Sequence, residues 1–130
     1  MHPWEEFRQM CPYGEIQFTT KVGYTGIIRI NRLDTFCGYI VLPPDHPYFE
    51  KCVYEFDEAL LELDVHGGIT FSDYLDKDTY AIGFDCAHAA DYVPSRGVAP
   101  YPTTWKDEFF VREELEHLAR QLKEKELSND

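Results

Sequence analysis

Two short segments of the chain concentrate the side chains that could carry out acid–base chemistry or bind a metal ion. Residues 64–70 read Asp-Val-His-Gly-Gly-Ile-Thr, and residues 83–92 read Gly-Phe-Asp-Cys-Ala-His-Ala-Ala-Asp-Tyr. Glycine and alanine surround the ionisable residues in both, so a ligand or another backbone can come close. An imidazole oriented by a carboxylate can act as a general base or as a metal ligand. The candidate site therefore lies in these segments.

The second segment is typical of a strand that runs into a short helix. Asp85 would then lie near the helix N-cap, which aspartate favours, and His88 and Asp91 would follow on roughly one helical face. A capping role for Asp85 and a surface role for Asp91 are the structural alternatives. A helix N-terminus would lower the pKa of the Cys86 thiol, but the neighbouring carboxylates oppose this effect, so a cysteine nucleophile is disfavoured.

In the first segment, His66 precedes Gly67 and Gly68, which cannot shield its ring. A turn histidine followed by a glycine bulge is the alternative interpretation. If the strands ending at the two segments are neighbours in the sheet, four side chains converge: Asp64, His66, Asp85 and His88. Such a cluster suits a divalent metal held by His66, His88 and Asp85, or acid–base catalysis by the same three residues.

Contacts to an anionic group would have to come from a few arginines. Arg29 and Arg32 lie in or just after a predicted strand, and Arg96 lies in a loop rich in proline and glycine. A strongly acidic protein must focus such bases locally to hold a phosphate, or recruit a metal ion. Ordinary ion pairs are the alternative for each arginine. Three aromatic residues could stack on a base or a sugar, or pack in the core: Tyr92, Tyr101 and Trp105.

The chain carries 24 acidic and 12 basic residues, a formal net charge of −12. Non-specific binding to nucleic acid or to an anionic membrane needs a basic surface, so both are excluded as partners. Residues 45–91 hold twelve of the acidic residues and two of the basic ones, a net charge of −10. This stretch is typical of a solvated face, or alternatively of a charge mimic that docks on another protein.

Alternating apolar residues predict that strands make up most of the first half. Short turns near residues 22–23 and 31–34 favour an antiparallel meander of the first three strands. Apolar residues at helical spacing predict a short helix over 48–56. The predicted strands are 15–20, 23–31, 35–42 and 80–84. A further strand is predicted over 60–65 and 68–71, with a break at residues 66–67.

The C-terminal segment predicts a long helix over about 105–125. Val111, Leu115, Leu118 and Leu122 form an apolar stripe that should pack on the sheet. Thr104 followed by a carboxylate three residues later resembles a capping box. The fold class is therefore α+β, with an antiparallel sheet, a short central helix and a C-terminal helix packed on one face.

The length of 130 residues and the aromatic content of 15% indicate a folded chain with one core rather than a disordered one. We expect a single domain over 1–130, strand-rich over 15–94 and with an irregular loop over 94–103. The four cysteines form no CxxC pair, so free thiols are expected. The acidic N-terminus does not resemble a signal peptide, and no apolar run approaches the roughly 18 residues of a membrane span, which predicts a cytoplasmic protein.

Residues 64–72 (DVHGGITFS) and 82–94 (IGFDCAHAADYVP) resemble a family of short, uncharacterised bacteriophage and prophage proteins. The family strings run approximately D-V-H-G-G-L-T and G-F-D-C-A-H-A-G-D, and the Gly-Tyr-Ile-Val at 38–41 also fits. The resemblance spans most of residues 36–94, and Ala90 stands where the family pattern has glycine. It implies action in the cytoplasm of a bacterial host, where small phage proteins bind or cleave nucleotide-derived immune signals.

Three functions remain open at this point. The first is an anti-defence binding module, as a monomer or a homo-oligomer, that holds a small polar, nucleotide-derived ligand. The second is a hydrolase of such a ligand, with or without a divalent metal as cofactor. The third is an acidic inhibitor of a host protein. The candidate ligand contacts are Asp64, His66, Gly67, Gly68, Asp85, His88, Asp91, Arg29, Arg32 and Arg96.

Overall fold

Five antiparallel strands form one sheet in the part of the chain that the structure describes. The structure is a computed structural model that describes residues 1–128; residues 129–130 of the predicted domain lie outside it. The α+β class and the meander of the first three strands are confirmed. The strands are β1 Glu15–Thr19, β2 Thr25–Ile30, β3 Phe36–Val41, β4 Phe71–Asp76 and β5 Thr79–Asp85. Their order in the sheet is β1-β2-β3-β5-β4.

Alternation along β3 sets the two faces of the sheet. Phe36, Gly38 and Ile40 are buried, whereas the residues between them are half-buried, as expected when a helix covers one face only. The preceding turn is held by Asn31, whose side-chain oxygen accepts hydrogen bonds from the backbone N–H groups of Leu33 (2.9 Å) and Thr35 (3.1 Å). Side-chain capping of this kind fixes the register of the β2–β3 hairpin.

The C-terminal helix α3 (Glu108–Ser128) packs on this sheet, as predicted. Its apolar stripe is fully buried, and Gly38 lets the helix approach, because a Cβ there would lie 3.0 Å from Val111 and 3.2 Å from Leu115. The helix begins later than predicted. Asp107 is the residue that caps it, accepting a hydrogen bond from the Phe110 N–H (2.8 Å), so the predicted capping role of Thr104 is wrong.

The predicted helix over 48–56 is wrong. Glu50 and Phe56 have positive φ angles of 65° and 57°, which a right-handed helix cannot contain. Between them lies a single 3₁₀ turn, Val53–Glu55. The short central helix is instead α2 (Glu58–Leu61), where Asp57 accepts a hydrogen bond from the Ala59 N–H at 3.0 Å and acts as the N-cap.

The predicted strand over 60–65 and 68–71 is also wrong, although Leu63 and Val65 are buried; the strand in this region is β4, which begins only at Phe71. The backbone of Asp64 makes its hydrogen bonds with a side chain of α3 rather than with a strand. Its N–H donates to Gln121 Oε1 (2.8 Å), and its carbonyl accepts from Gln121 Nε2 (2.7 Å). The alternation of apolar and polar residues in this stretch therefore results from burial beneath α3 and not from strand pairing.

An N-terminal helix, α1 (Pro3–Met10), was not predicted from the sequence. It buries Phe7 edge-on against Phe36, with the ring centroids 4.7 Å apart. Arg8 fixes its C-terminal end by an ion pair with Asp34 (2.8 Å). Within residues 1–128, the helices are all too short or too polar to cross a membrane.

Candidate functional site

The carboxylate of Asp91 joins three separate stretches of chain. It is completely buried, and both of its oxygens lie 2.9 Å from His66 Nε2. The backbone N–H of His88 donates to Oδ2 (2.9 Å), and Lys106 Nζ lies 3.1 Å from Oδ1. Asp91 therefore ties the turn at residue 66, the loop after β5 and the segment before α3 into one unit.

This environment fixes the charge of Asp91. Burial acts to raise the pKa of the carboxyl group, but the hydrogen bonds from His66, from the His88 backbone and from Lys106 outweigh burial and hold the pKa below its ordinary value. The carboxylate is therefore ionised at neutral pH. Since an ionised carboxylate only accepts hydrogen bonds, Nε2 of His66 is the ring nitrogen that carries a hydrogen.

The predicted short helix over residues 85–91 does not form. After β5 the chain makes turns and then pairs with the segment before α3, because Tyr92 N–H donates to the Thr104 carbonyl (2.7 Å) and Thr104 N–H donates to the Ala90 carbonyl (3.0 Å). Within the loop, the Asp91 N–H donates to the His88 carbonyl (2.9 Å), a single turn that does not continue into a helix. Asp85 therefore caps no helix, and its carboxylate can contact neighbouring side chains.

His88 and Asp85 form a second imidazole–carboxylate pair. Nε2 of His88 lies 2.7 Å from Oδ1 of Asp85. No hydrogen bond joins these two atoms, and neither of them has another partner in the described part of the chain. The ring rests directly on Gly67, where a Cβ would lie 2.1 Å from Nε2. It lies edge-to-face with the ring of His66, with centroids 5.6 Å apart.

An open cavity of about 310 Å³ lies beside this pair. His88, Arg96 and Tyr101 line it, and so do small residues that include Ala87 and Ala89. Arg96 Nη1 donates to the Ala87 carbonyl (3.2 Å), which leaves the rest of the guanidinium at the cavity. Tyr101 is half-exposed, with 51% of its surface accessible. The wall thus combines the guanidinium of an exposed arginine, an imidazole and an aromatic ring with the carboxylate of Asp91.

The structure brings together most of the residues that the sequence singled out. His66, Asp85, His88 and Asp91 lie close together, with Gly67 beneath His88 and Arg96 at the cavity, whereas the predicted cluster had Asp64 in place of Asp91. Asp64 is not part of this cluster, because its exposed carboxylate lies 3.1 Å from His117 on α3. Gly68 faces open space, although its positive φ of 78° favours glycine.

Two of the candidate arginines lie away from the cavity. Arg29 is in β2, in one cross-strand row with Cys37 and Asp85, and its Nε lies 2.6 Å from Glu15. Arg32 is exposed in the β2–β3 turn. Neither residue lines the cavity, so of the three arginines only Arg96 can contact a ligand there.

The thiol of Cys86 is buried beneath the same loop. Burial raises its pKa strongly, and the charge of Asp91 raises it further. The thiol therefore stays protonated at neutral pH, in line with the prediction that it is not a nucleophile.

Within residues 1–128, no three His, Cys, Asp or Glu side chains are grouped in a way that would hold a metal ion. The three candidate metal ligands are divided between two pairs, since His66 faces Asp91 whereas His88 faces Asp85. Sequence reasoning missed Lys106, which completes the environment of Asp91. A single lysine in an irregular segment carries no signal of its own. No protein-family model, curated protein or solved structure matches this chain.

Proposed function

We propose that the cavity beside His88 binds a small, anionic, nucleotide-derived ligand. The observation that carries the proposal is the presence of Arg96, His88 and Tyr101 on one cavity of a chain whose net charge is −12. In such a protein, an anion needs a local cation to overcome the overall repulsion. Arg96 supplies that cation, and its planar guanidinium matches the geometry of a phosphate group.

The remainder of the wall suits the sugar or base of a nucleotide. The ring of Tyr101 offers a stacking surface, and the small side chains of Ala87, Ala89 and Ala99 leave room for a flat group to approach. The cavity volume of about 310 Å³ falls at the lower end of the range for small-molecule sites. The two imidazole–carboxylate pairs hold one side of the cavity in place.

The resemblance to phage proteins supplies a biological context for such a site. A phage protein that holds a nucleotide-derived immune signal would prevent the host from responding to infection. We therefore propose that the protein sequesters such a signal by binding it in the cavity. This role rests on the analogy with other small phage proteins and on the chemistry of the cavity.

Equilibrium dialysis of the full chain against AMP, ADP-ribose and a cyclic dinucleotide tests the proposal. We expect at least one of these probes to bind, and Arg96→Gln to weaken its affinity about tenfold or more through the loss of a charged hydrogen bond. Arg32→Gln is the matched control, since it removes an exposed arginine that does not line the cavity.

Binding that is unchanged in Arg96→Gln would contradict the proposed site. If none of the probes binds, the proposed function fails, and inhibition of a host protein through the acidic 45–91 stretch becomes the hypothesis to pursue. Charge reversals within that stretch would then be the variants to compare in a host-protein pull-down.

A further inference from the structure

We propose that the pair formed by Asp85 and His88 acts as a general base that hydrolyses a phosphoanhydride bond in the bound ligand. The inference rests on the proposed function, because it needs a nucleotide in the cavity. Its starting point is the His88–Asp85 pair at the cavity wall: the side chains are about one-third exposed, but their facing atoms, Nε2 and Oδ1, are shielded from solvent and lie 2.7 Å apart without a hydrogen bond. Unsatisfied buried polar atoms are costly and uncommon, and a catalytic role is one recognised reason for them.

The position of the His88 ring determines which of its nitrogens can act. Nε2 is covered by Asp85 and by the backbone of Gly67. Because His88 lines the cavity, Nδ1 is the ring nitrogen left to contact a ligand or a water molecule. The negative charge of Asp85, 2.7 Å from Nε2, favours by its proximity rather than by a hydrogen bond the tautomer with hydrogen on Nε2 and a lone pair on Nδ1, which is the form that accepts a proton.

The charged groups around His88 indicate which class of bond would be hydrolysed. Arg96 keeps its proton at any working pH, so it can stabilise negative charge but cannot protonate a leaving group. Lys106 and the Nε2–H of His66 are held by Asp91. A reaction here therefore favours a leaving group that departs as a stable anion. Phosphate meets this requirement, which points to the anhydride linkage of a nucleoside diphosphate derivative.

The step needs only water as co-reactant. Nδ1 of His88 takes one proton from a water molecule, while the water oxygen forms a bond to one phosphorus atom. The bond between that phosphorus and the bridging oxygen breaks, and its electron pair leaves with the second phosphate. Arg96 offsets the charge that develops on the phosphoryl oxygens. His88 then releases its proton to solvent, and two phosphate monoesters result.

The test incubates the full chain with ADP-ribose in ¹⁸O-labelled water, with and without magnesium chloride, and analyses the products by chromatography and mass spectrometry. We expect AMP and ribose 5-phosphate, with one ¹⁸O atom in one of the two products. His88→Gln should lower kcat about 100-fold or more. His117→Gln, an exposed histidine on α3, should leave kcat unchanged.

Asp85 is a positioning residue in this scheme, because it acts on the substrate only through His88. Asp85→Asn should lower kcat while leaving KM and the affinity for AMP unchanged, a division that a general loss of structure would not produce. Wild-type kcat in Asp85→Asn or in His88→Gln would overturn the inference. Recovery of bound ADP-ribose intact under both conditions would overturn it too, yet would leave the proposed binding function standing. Failure of every nucleotide probe to bind would overturn both.

Discussion

The imidazole of His88 lies directly on the α-carbon of Gly67. A Cβ at position 67 would lie 2.1 Å from Nε2 of that ring, far inside van der Waals contact. Gly67 also has a backbone φ angle of 71°, which L-residues with a side chain rarely adopt. The two halves of the candidate site, distant in sequence, therefore meet at a position that only glycine can occupy without displacing a proposed functional group.

Gly67→Ala should displace the His88 ring and destabilise the protein. Gly68→Ala is a matched control, because Gly68 has a similar φ of 78° but no atom within 4 Å of its Cβ position. We expect Gly68→Ala to cost about 1 kcal/mol from backbone strain, and Gly67→Ala to cost at least about 1 kcal/mol more. Urea unfolding measures both. Equal losses would show that His88 does not rest on Gly67.

Asp91→Asn should destabilise the protein by about 3 kcal/mol, since it leaves Lys106 beside a neutral group in a largely buried environment. Asp64→Asn serves as the control. The Asp64 carboxylate is almost fully exposed, and its contact with His117 should contribute little. Urea unfolding at neutral pH compares the two variants. If Asp91→Asn lowers the free energy of unfolding no more than Asp64→Asn does, the buried carboxylate does not hold the three chain segments together.

The lowered pKa of Asp91 predicts a specific dependence of stability on pH. A carboxyl group whose pKa is lower in the folded state stabilises the fold above the unfolded pKa, near 3.8, and loses this effect as the pH falls through the folded pKa. The stability difference between wild type and Asp91→Asn should therefore be full at pH 7 and shrink below about pH 4. Urea midpoints for both proteins across this range provide the measurement, and a constant difference would rule out Asp91 as the titrating group.

Asp107→Ala should destabilise α3 by about 1 kcal/mol through the loss of its N-cap. Glu113→Ala removes an exposed carboxylate farther along the same helix and should have a much smaller effect. Thermal unfolding followed by circular dichroism measures both. If Thr104→Ala rather than Asp107→Ala carried the larger cost, the helix would begin where the capping-box pattern predicted.

Periodicity in the sequence identified four of the five strands in residues 1–128 and the covering helix, but it missed β4. The alternation in β3 and the stripe from Val111 to Leu122 each repeat at the spacing of their element, so burial on one side shows directly in the residue types. Where the chain is buried without regular backbone pairing, the same signal misleads. Leu63 and Val65 alternate like a strand, yet the intervening Asp64 bonds to Gln121 of α3.

Local composition also located the candidate site, because glycine, histidine and aspartate cluster in two short segments. Those residue types did not determine which carboxylate faces which imidazole. That pairing depends on the loop after β5 leaving the helical path to pair with Thr104, and on Lys106 arriving from a segment with no motif. The sequence by itself therefore determined most of the sheet, its covering helix and the residues available for chemistry. The tertiary structure decided their partners, because hydrogen bonds between distant segments depend on how the chain packs and leave no periodic trace in the order of residues.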